Sequence, residues 1–491
     1  MVGICLQPAS RSFRSDLLFT IQSSCLWREL ENMARILLKN SILVFTADAK
    51  LGEIRDADVL VDGPRIAGIG KDLDYDVGDI DEVIDCSSKI IIPGMVNTHH
   101  HLYQVLTRVL PAVQDAKLFD WLVYLYDIWK HLSAQDLRAA ALAGLGELLL
   151  SGCTTCADHH YLCPQVAGGD LFEAEAQAAS DLGIRLTMTR GSMSLGRSKG
   201  GLPPDSVIQD EDFILNDCQR VIEQFHDPNP LSMTQVALAP CSPFSVTKDL
   251  MLSVARLARE KNVRLHTHLA ETLDEEKFCL DKHGKRPLEL MEELEWMGPD
   301  VWFAHCVYLN KDEIRRMAVT NTGVAHCPVS NLRLGSGIAP VPDMLDAGVR
   351  VGLAVDGSAS NDSSNLLREV QTCTLVHRVG TSVDAMPAKR ALQIATSGGA
   401  MVLGRQDIGS LVPGKAADLV VFDLDSIAHA GSLHDPVASL LFCGLDSRAW
   451  LVMVNGQVVV RDKRLVSMDQ EKITRDAASA SSSLLKRAGA L

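Results

Sequence analysis

Histidines and an aspartate in this chain stand at spacings that suit metal chemistry. His99 and His101 are one residue apart, so on an extended strand both imidazoles point to the same side. His268 and Asp356 follow much later in the chain, His268 in a His-x-His pair and Asp356 before a glycine. Three imidazoles and one carboxylate form a donor set that suits Zn²⁺, with Fe²⁺ as the alternative. These four residues are therefore predicted metal ligands.

The elements around these residues predict how they come together. Apolar, strand-like runs end near Asn97, Asp158, Arg190, Pro240, His268, His305, Cys327 and Asp356. Helical patterns separate most of them, the clearest over residues 133–150, with Ser133 as N-cap and Asp136 in the first turn. Eight strands with helical crossovers predict a (β/α)₈ TIM-like barrel, in which catalytic groups lie at the C-terminal ends of the strands. The candidate ligands fall at such ends.

The two ends of the chain predict a smaller second domain. Short strands with turns begin after Met33, and others are predicted over residues 417–422 and 450–460. We expect a small β-sandwich domain from residues 33–92 and 407–470, flanking a barrel over 93–406, with 471–491 as a C-terminal helix or tail. Residues 1–32 lack a clean apolar core, and we expect a disordered extension or a start at Met33.

Composition limits the classes of function. The chain has 491 residues, 47% of them hydrophobic and 22% charged, values typical of a soluble globular enzyme. A formal net charge of -15 argues against nucleic-acid partners, which need basic patches. No apolar run reaches the roughly 20 residues of a membrane span. The 13 cysteines are scattered, many of them in apolar runs, which favours reduced thiols and a cytoplasmic location.

Several longer motifs identify a family resemblance. They are PGMVNTHHHLYQ, HTHLAET, AHC and VDGSASND in the barrel, and GSLVPGKAADLVVFD in the small domain. Over residues 33 to about 465 the chain resembles the amidohydrolase superfamily, within it the deaminase and chlorohydrolase branch. Members with two metals bridge them through a lysine on the fourth strand, but here residues 235–241 contain no lysine. The resemblance therefore implies one Zn²⁺ per chain.

The same resemblance implies catalytic roles for three residues. His305 is implied to hydrogen-bond the attacking water or the developing oxyanion rather than to bind the metal. Asp356 is implied to bind the metal and to help take the proton of the water. Glu271, three residues after His268, is implied to protonate the ring nitrogen and then the leaving amine.

Other segments bear on the substrate. DHHYL, TRGSMSLG, GGLPP, APCSPFSVT and LHTHLAETLDEE are similar to segments of bacterial 8-oxoguanine deaminases. Ordinary guanine deaminases carry a Pro-Arg-Phe turn after the fourth strand, where this chain has a Pro-Cys-Ser-Pro sequence at 240–243. The resemblance implies conversion of free 8-oxoguanine to urate and ammonia. Guanine or isoxanthopterin deamination, s-triazine chloro- or aminohydrolysis and, remotely, a non-catalytic scaffold barrel stay open as alternatives.

Side chains near the strand ends are candidates for binding a small heterocyclic base. They are Gln104, Trp121, His160, Tyr161 and Arg190. The amide of Gln104 can donate to and accept from a purine edge, Arg190 could pair with a carbonyl oxygen, and Trp121 could stack on the ring. An arginine here can equally be a salt-bridge partner, and a tryptophan can simply pack. Asp158 and His159 could instead orient ligand histidines. We also expect a homo-oligomer.

Overall fold

The computed structural model describes residues 34–71, 73–444 and 448–491, so the predicted extension over 1–32 lies outside the described residues. In chain order the strands are β1 (Arg35–Phe45), β2 (Glu53–Asp62), β3 (Arg65–Gly70), β4 (Glu82–Asp85), β5 (Lys89–Pro93), β6 (Met95–Asn97), β7 (His100–His101), β8 (Cys153–Asp158), β9 (Arg185–Ser192), β10 (Thr234–Pro240), β11 (Arg264–Leu269), β12 (Val301–His305), β13 (Gly323–His326), β14 (Arg350–Leu353), β15 (Asp356–Gly357), β16 (Leu419–Asp423), β17 (Leu451–Val454), β18 (Gln457–Arg461) and β19 (Arg464–Leu465). The helices are α1 (Leu118–Trp129), α2 (Ala134–Leu150), α3 (Leu171–Leu182), α4 (Glu211–Phe225), α5 (Lys248–Glu260), α6 (Leu273–His283), α7 (Pro287–Glu293), α8 (Lys311–Thr320), α9 (Pro328–Arg333), α10 (Val341–Asp346), α11 (Leu366–Gly380), α12 (Ala388–Gln393), α13 (Gly399–Val402), α14 (Pro436–Phe442) and α15 (Gln470–Arg487).

A parallel barrel forms the body of the described chain. Its sheet runs in the order β6, β8, β9, β10, β11, β12, β13, β14, with helices in the connections between successive strands. The first and last strands meet where the backbone N–H of Thr98 donates to the carbonyl of Leu353 at 3.0 Å. Asp356 then pairs with His100 in a short parallel bridge. The predicted (β/α)₈ barrel is confirmed.

Local sequence explains why helix α2 begins where it does. The hydroxyl of Ser133 accepts a hydrogen bond from the N–H of Asp136 at 3.2 Å. The carboxylate of Asp136 in turn accepts from the N–H of Ser133 at 2.8 Å, which completes a capping box. Helix α2 therefore begins at Ala134, as predicted, and its buried leucine face packs on the barrel sheet.

Strands from both ends of the chain form one nine-stranded sheet. Its order is β19, β18, β17, β16, β5, β1, β2, β3, with β4 paired to β1. The two halves meet where β5 and β16 run antiparallel, with Ile91 opposite Val421. A buried ion pair between Arg185 and Asp418, at 3.1 Å, ties this domain to the first residue of β9. The domain is thus anchored at the N-terminal end of that barrel strand, away from the C-terminal strand ends.

Two further observations concern the membrane and the thiols. Across the described residues, no helix is long and apolar enough to cross a membrane. The cysteines in the described part of the chain are free thiols, all buried except the half-buried Cys443.

Candidate active site

The predicted ligands converge at the C-terminal end of the barrel. His101 lies in β7, with His99 two residues before it between β6 and β7, while His268 lies in β11 and Asp356 in β15. The Nε2 atoms of His101 and His268 are 3.0 Å apart. Oδ1 of Asp356 lies 3.2 Å from Nε2 of His99 and 3.3 Å from Nε2 of His101. Three ring nitrogens and one carboxylate oxygen therefore surround a single point.

Backbone carbonyls fix the orientation of two of these rings. Nδ1 of His101 donates to the carbonyl of His159 at 2.8 Å, and Nδ1 of His268 donates to the carbonyl of Cys241 at 2.6 Å. A donor at Nδ1 means that the proton of the neutral ring is there, which leaves a lone pair on Nε2. Both rings thus present a bare nitrogen to the centre, as in metal-binding histidines.

A second histidine fixes the ring of His99. Nδ1 of His266 donates to the carbonyl of Trp302 at 2.9 Å, so its Nε2 carries a lone pair. That Nε2 lies 2.7 Å from Nδ1 of His99, which must therefore be the donor. Nε2 of His99 is left bare, buried and without a hydrogen-bond partner among the described residues. Burial also holds the pKa of His99 and of His268 well below the usual value, so both rings are neutral.

The carboxylate of Asp356 is held from its other side. Oδ2 accepts hydrogen bonds from the hydroxyls of Ser330 at 2.5 Å and Ser360 at 2.9 Å, while Oδ1 faces the histidines. Burial alone would raise the pKa of Asp356, but contacts with His101 and His99 hold it well below its usual value. Its backbone has a φ of 62°, in the left-handed region that is costly for residues other than glycine. The fold thus holds a strained, anionic aspartate against three imidazoles, a donor set that fits Zn²⁺.

Glu271 and His305 face each other beside this centre. Nδ1 of His305 donates to Oδ1 of Asn331 at 2.9 Å, and its Nε2 lies 3.5 Å from Oε2 of Glu271. The hydroxyl of Ser336 donates to Oε1 of Glu271 at 3.3 Å. Burial raises the pKa of Glu271, which favours its protonated form. The pair can therefore hold and move a proton next to the ligand atoms.

The carboxylate of Glu275, in the first turn of helix α6, fixes the backbone of Glu271. The carboxylate of Glu275 accepts from the N–H groups of Ala270, at 2.8 Å, and Glu271, at 2.9 Å. These bonds hold Ala270 at a φ of 52°, in the left-handed region. The chain can then leave β11 sharply enough for Glu271 to turn back toward the centre.

A cavity of about 30 Å³ opens above these residues, smaller than the usual range of about 300–1,000 Å³ for small-molecule sites. Its lining comprises His101, Gln104, Leu118, Trp121, Leu122, Tyr126, Tyr161, Cys241, Phe244, His268, Glu271, His305, Leu334, Asp356 and Ser360. The described lining contains aromatic and aliphatic walls but no lysine or arginine. The cavity therefore suits a flat, uncharged ligand better than an anion.

The predicted binding residues divide into two groups. Gln104, Trp121 and Tyr161 line the cavity, whereas His160 and Arg190 do not. The guanidinium of Arg190 is buried, donating to Asp217 at 2.8 Å and to Gln209 at 3.0 Å. The side chain of His160 is fully buried, with its ring 5.5 Å from the ring of Phe172 on helix α3. We therefore leave His160 and Arg190 out of the proposed binding set.

Gln104 owes its position to a small residue opposite it. A Cβ atom on Gly357 would collide with the amide of Gln104. The glycine of the Asp-Gly pair thus makes room for Gln104, whose Oε1 accepts from the N–H of Ala359 at 3.3 Å.

Several other residues that line the cavity were not predicted as binding residues from the sequence. Leu118, Leu122 and Tyr126 share one face of α1 with Trp121. Their spacing of three or four residues was an available signal, although the same pattern is typical of any helix packed on a core. Cys241, Phe244, Leu334 and Ser360 complete the list, and all but Leu334 lie inside motifs that resemble known deaminases.

The chain is similar to known proteins over most of its length. The model of the Amidohydrolase family matches residues 90–459. The 8-oxoguanine deaminase of Pseudomonas aeruginosa is 43% identical over 455 residues, covering 92% of this chain and 100% of that protein. An isoxanthopterin deaminase from an unknown prokaryotic organism is 36% identical, over 85% of this chain and 91% of the relative. The crystal structure of atrazine chlorohydrolase from Arthrobacter aurescens TC1 in complex with zinc has a TM-score of 0.87 and 37% identity, covering 91% of this chain and 100% of that chain.

The chain belongs to the amidohydrolase family. Its predicted class, a metal-dependent aminohydrolase, is confirmed. The zinc-bound structural relative agrees with the donor set found at the C-terminal strand ends.

Proposed function

We propose that this protein is a zinc-dependent deaminase of a free purine base, converting 8-oxoguanine to urate and ammonia. The observation that carries the proposal is Glu271 paired with His305 beside the four ligand atoms, under a cavity with aromatic walls. A deaminase must protonate a poor amine leaving group, and a buried carboxyl with a raised pKa suits that task. The similarity to 8-oxoguanine deaminase over nearly the whole chain supports the choice of base.

In this proposal His99, His101, His268 and Asp356 hold one ion, Zn²⁺ or alternatively Fe²⁺. The ion, when bound, lowers the pKa of water from about 16 to about 7 and so supplies a nucleophile at neutral pH. The three neutral imidazoles and the anionic Asp356 leave one net positive charge, which the nearby Glu271 can balance when it is ionised.

The chain's own residues move the protons. The oxygen of water adds to C2 of the base, and the carboxylate of Asp356 takes a proton from it. Glu271 gives its proton to the adjacent ring nitrogen, then takes the remaining proton of the added oxygen and passes it to the amino group. The proton held by Asp356 returns to Glu271 at the end of the turnover. The bond between C2 and that nitrogen breaks, ammonia leaves, and a carbonyl forms at C2. His305 hydrogen-bonds the attacking oxygen throughout, and general acid–base transfer of this kind contributes about 10²–10⁴ in rate.

The walls of the cavity supply binding and orientation. Gln104 can bond an edge of the base because its amide both donates and accepts. Trp121 and Tyr161 offer aromatic surface to the ring. The lack of a cationic side chain in the described lining favours a free base over a nucleotide. We further propose that the enzyme is a homo-oligomer, that it acts in the cytoplasm, and that its ligand is a free heterocyclic base.

Three other activities are candidates. A pterin is the second candidate because an isoxanthopterin deaminase also aligns over most of the chain. Guanine deamination is less favoured, because guanine lacks the 8-oxo group. Hydrolysis of an s-triazine is less favoured too, because such a hydrolase need not keep an acid such as Glu271. A non-catalytic scaffold is disfavoured by the complete donor set.

The direct test is product formation by the zinc-loaded enzyme. We expect 8-oxoguanine to yield urate and ammonia in equal amounts, with a His268→Ala variant inactive because it lacks a ligand. Fully zinc-loaded protein that releases no ammonia from 8-oxoguanine would contradict the proposal.

A further inference from the structure

Three ionisable side chains meet behind the second barrel strand, outside the cavity described above. They are Asp158 at the end of β8, His160 two residues later, and Glu175 on helix α3. All three are fully buried, at 0% exposure. One ligating atom from each lies within 4.8 Å of those of the other two. The proposed deamination uses none of them.

The alternation of an extended chain turns this cluster away from the catalytic centre. The ring of His159 lies 4.6 Å from the ring of His268, so His159 faces the centre. Its neighbours Asp158 and His160 lie on the opposite side, toward the helices. There Oδ1 of Asp158 accepts from the N–H of Leu102 at 2.7 Å, one residue after His101.

Most polar atoms of the cluster lack hydrogen-bond partners among the described residues. These atoms are Oδ2 of Asp158, both ring nitrogens of His160, and both carboxylate oxygens of Glu175. Buried polar groups are rarely left unpaired, because they lose their bonds to water without replacement. Five such atoms on three neighbouring side chains indicate a ligand that all three can share.

The chemistry of the three groups selects the kind of ligand. Two carboxylates carry up to two negative charges, and an imidazole adds a lone pair. A divalent cation balances both charges and accepts a lone pair from each side chain, which offsets the cost of burying the carboxylates. Oxygen and imidazole ligands without a thiolate suit Zn²⁺ or Mn²⁺ rather than a soft ion such as Cu⁺.

We propose that Asp158, His160 and Glu175 bind a second divalent metal ion, Zn²⁺ or Mn²⁺, separate from the catalytic centre. The ion joins the end of β8 to helix α3. It also fixes Asp158, which holds the backbone beside the ligand His101. The expected content of the protein rises from one to two ions per chain, only one of them at the catalytic centre.

Anomalous diffraction from the full-length enzyme tests this site without any mutation. Crystals are prepared after dialysis against excess Zn²⁺, in parallel with crystals prepared with Mn²⁺, and data are collected on both sides of each absorption edge. We expect anomalous density among Asp158, His160 and Glu175 with at least one of the two ions. Density at the catalytic centre alone, with a water or nothing between these side chains, would overturn the inference.

Metal analysis of variants gives a second measurement. Glu175→Gln is expected to lower the metal content from two to one ion per chain. If that variant is insoluble, His160→Gln is measured in its place, with the same expected result. Glu369→Gln is the matched control, because Glu369 is an equally buried carboxylate that instead accepts from the N–H of Val329 at 3.0 Å. A soluble Glu175→Gln or His160→Gln protein that keeps two ions would refute the site.

The outcome is separable from that of the proposed deamination. His268→Ala is expected to lose the catalytic ion and to keep the ion at Asp158, His160 and Glu175. An enzyme that deaminates 8-oxoguanine but holds no ion there would refute only the second site. A protein with both ions and no activity toward 8-oxoguanine would refute only the substrate.

Discussion

Nε2 of His305 lies 3.5 Å from Oε2 of Glu271, and both side chains are buried beside the bare nitrogens of His99 and His268. The backbone of His305 is itself in the left-handed region, with a φ of 73°. Strain of this kind persists only where the surrounding structure imposes it, and it is common at functional sites. The fold therefore places an acid and an imidazole together at the position where a leaving group needs a proton.

The first prediction concerns the acid. Replacing Glu271 with Gln keeps the shape of the side chain but removes the transferable proton. We expect kcat to fall by about 10²–10⁴ while the metal content is unchanged. Steady-state kinetics and metal analysis of the same preparation measure both quantities.

A matched control for this variant is Glu276→Gln on helix α6. Glu276 is a partly exposed carboxylate that pairs with Arg286 at 2.8 Å and does not line the cavity. We expect its kcat to match that of the wild type. A Glu271→Gln enzyme with near wild-type kcat would remove Glu271 from the mechanism.

The second prediction concerns the serines that hold Asp356. Ser330→Ala and Ser360→Ala each remove a hydroxyl that donates to Oδ2 of Asp356. Groups that orient a metal ligand typically change affinity by about 10–100-fold, so we expect weaker zinc binding of that order. Competition with a chelator of known affinity measures it. Ser358→Ala is the control, since that hydroxyl contacts Ser364 instead, and equal affinities in all three variants would count against the assigned ligand.

The third prediction separates a structural role from a binding role for Arg190. Arg190→Met leaves Asp217 without its buried partner, and we expect a loss of about 3–5 kcal/mol in stability with KM unchanged. Denaturation in urea and KM for the base are the two measurements. Arg220→Met, which removes the more exposed partner of Asp217, should cost less than about 1 kcal/mol. A raised KM with wild-type stability would instead show that Arg190 contributes to substrate binding.

Much of the site could be predicted because the barrel converts chain order into position. A ligand at the C-terminal end of a strand must lie near the ligands at the other strand ends, so His99, His101, His268 and Asp356 were readable from one sequence. The eighth strand was predicted to end near Asp356. In the structure β14 ends at Leu353, and Asp356 pairs separately with His100.

The walls of the cavity could not be predicted to the same degree. His160 follows the end of β8, where the side that a residue faces depends on the backbone of the loop. Arg190 lies within β9, opposite Leu238, and its side chain points to Asp217 on helix α4 rather than into the cavity. Leu118 and Leu122 come from a helix inserted after the first strand, and a helical apolar stripe does not say whether it packs on a core or on a ligand. Substrate choice depends on such residues, which explains why the metal centre was easier to predict than the base.

The central claim is tested most directly by kcat/KM for 8-oxoguanine beside guanine and isoxanthopterin, measured as ammonia release by one zinc-loaded preparation. A site that pairs with the 8-oxo group and its adjacent N–H can reject an analogue without them by up to about 10⁴-fold, because its own buried partners are then left unpaired. We expect 8-oxoguanine to give the highest kcat/KM of the three bases. A higher value for guanine or for isoxanthopterin would contradict the assignment of 8-oxoguanine as the substrate.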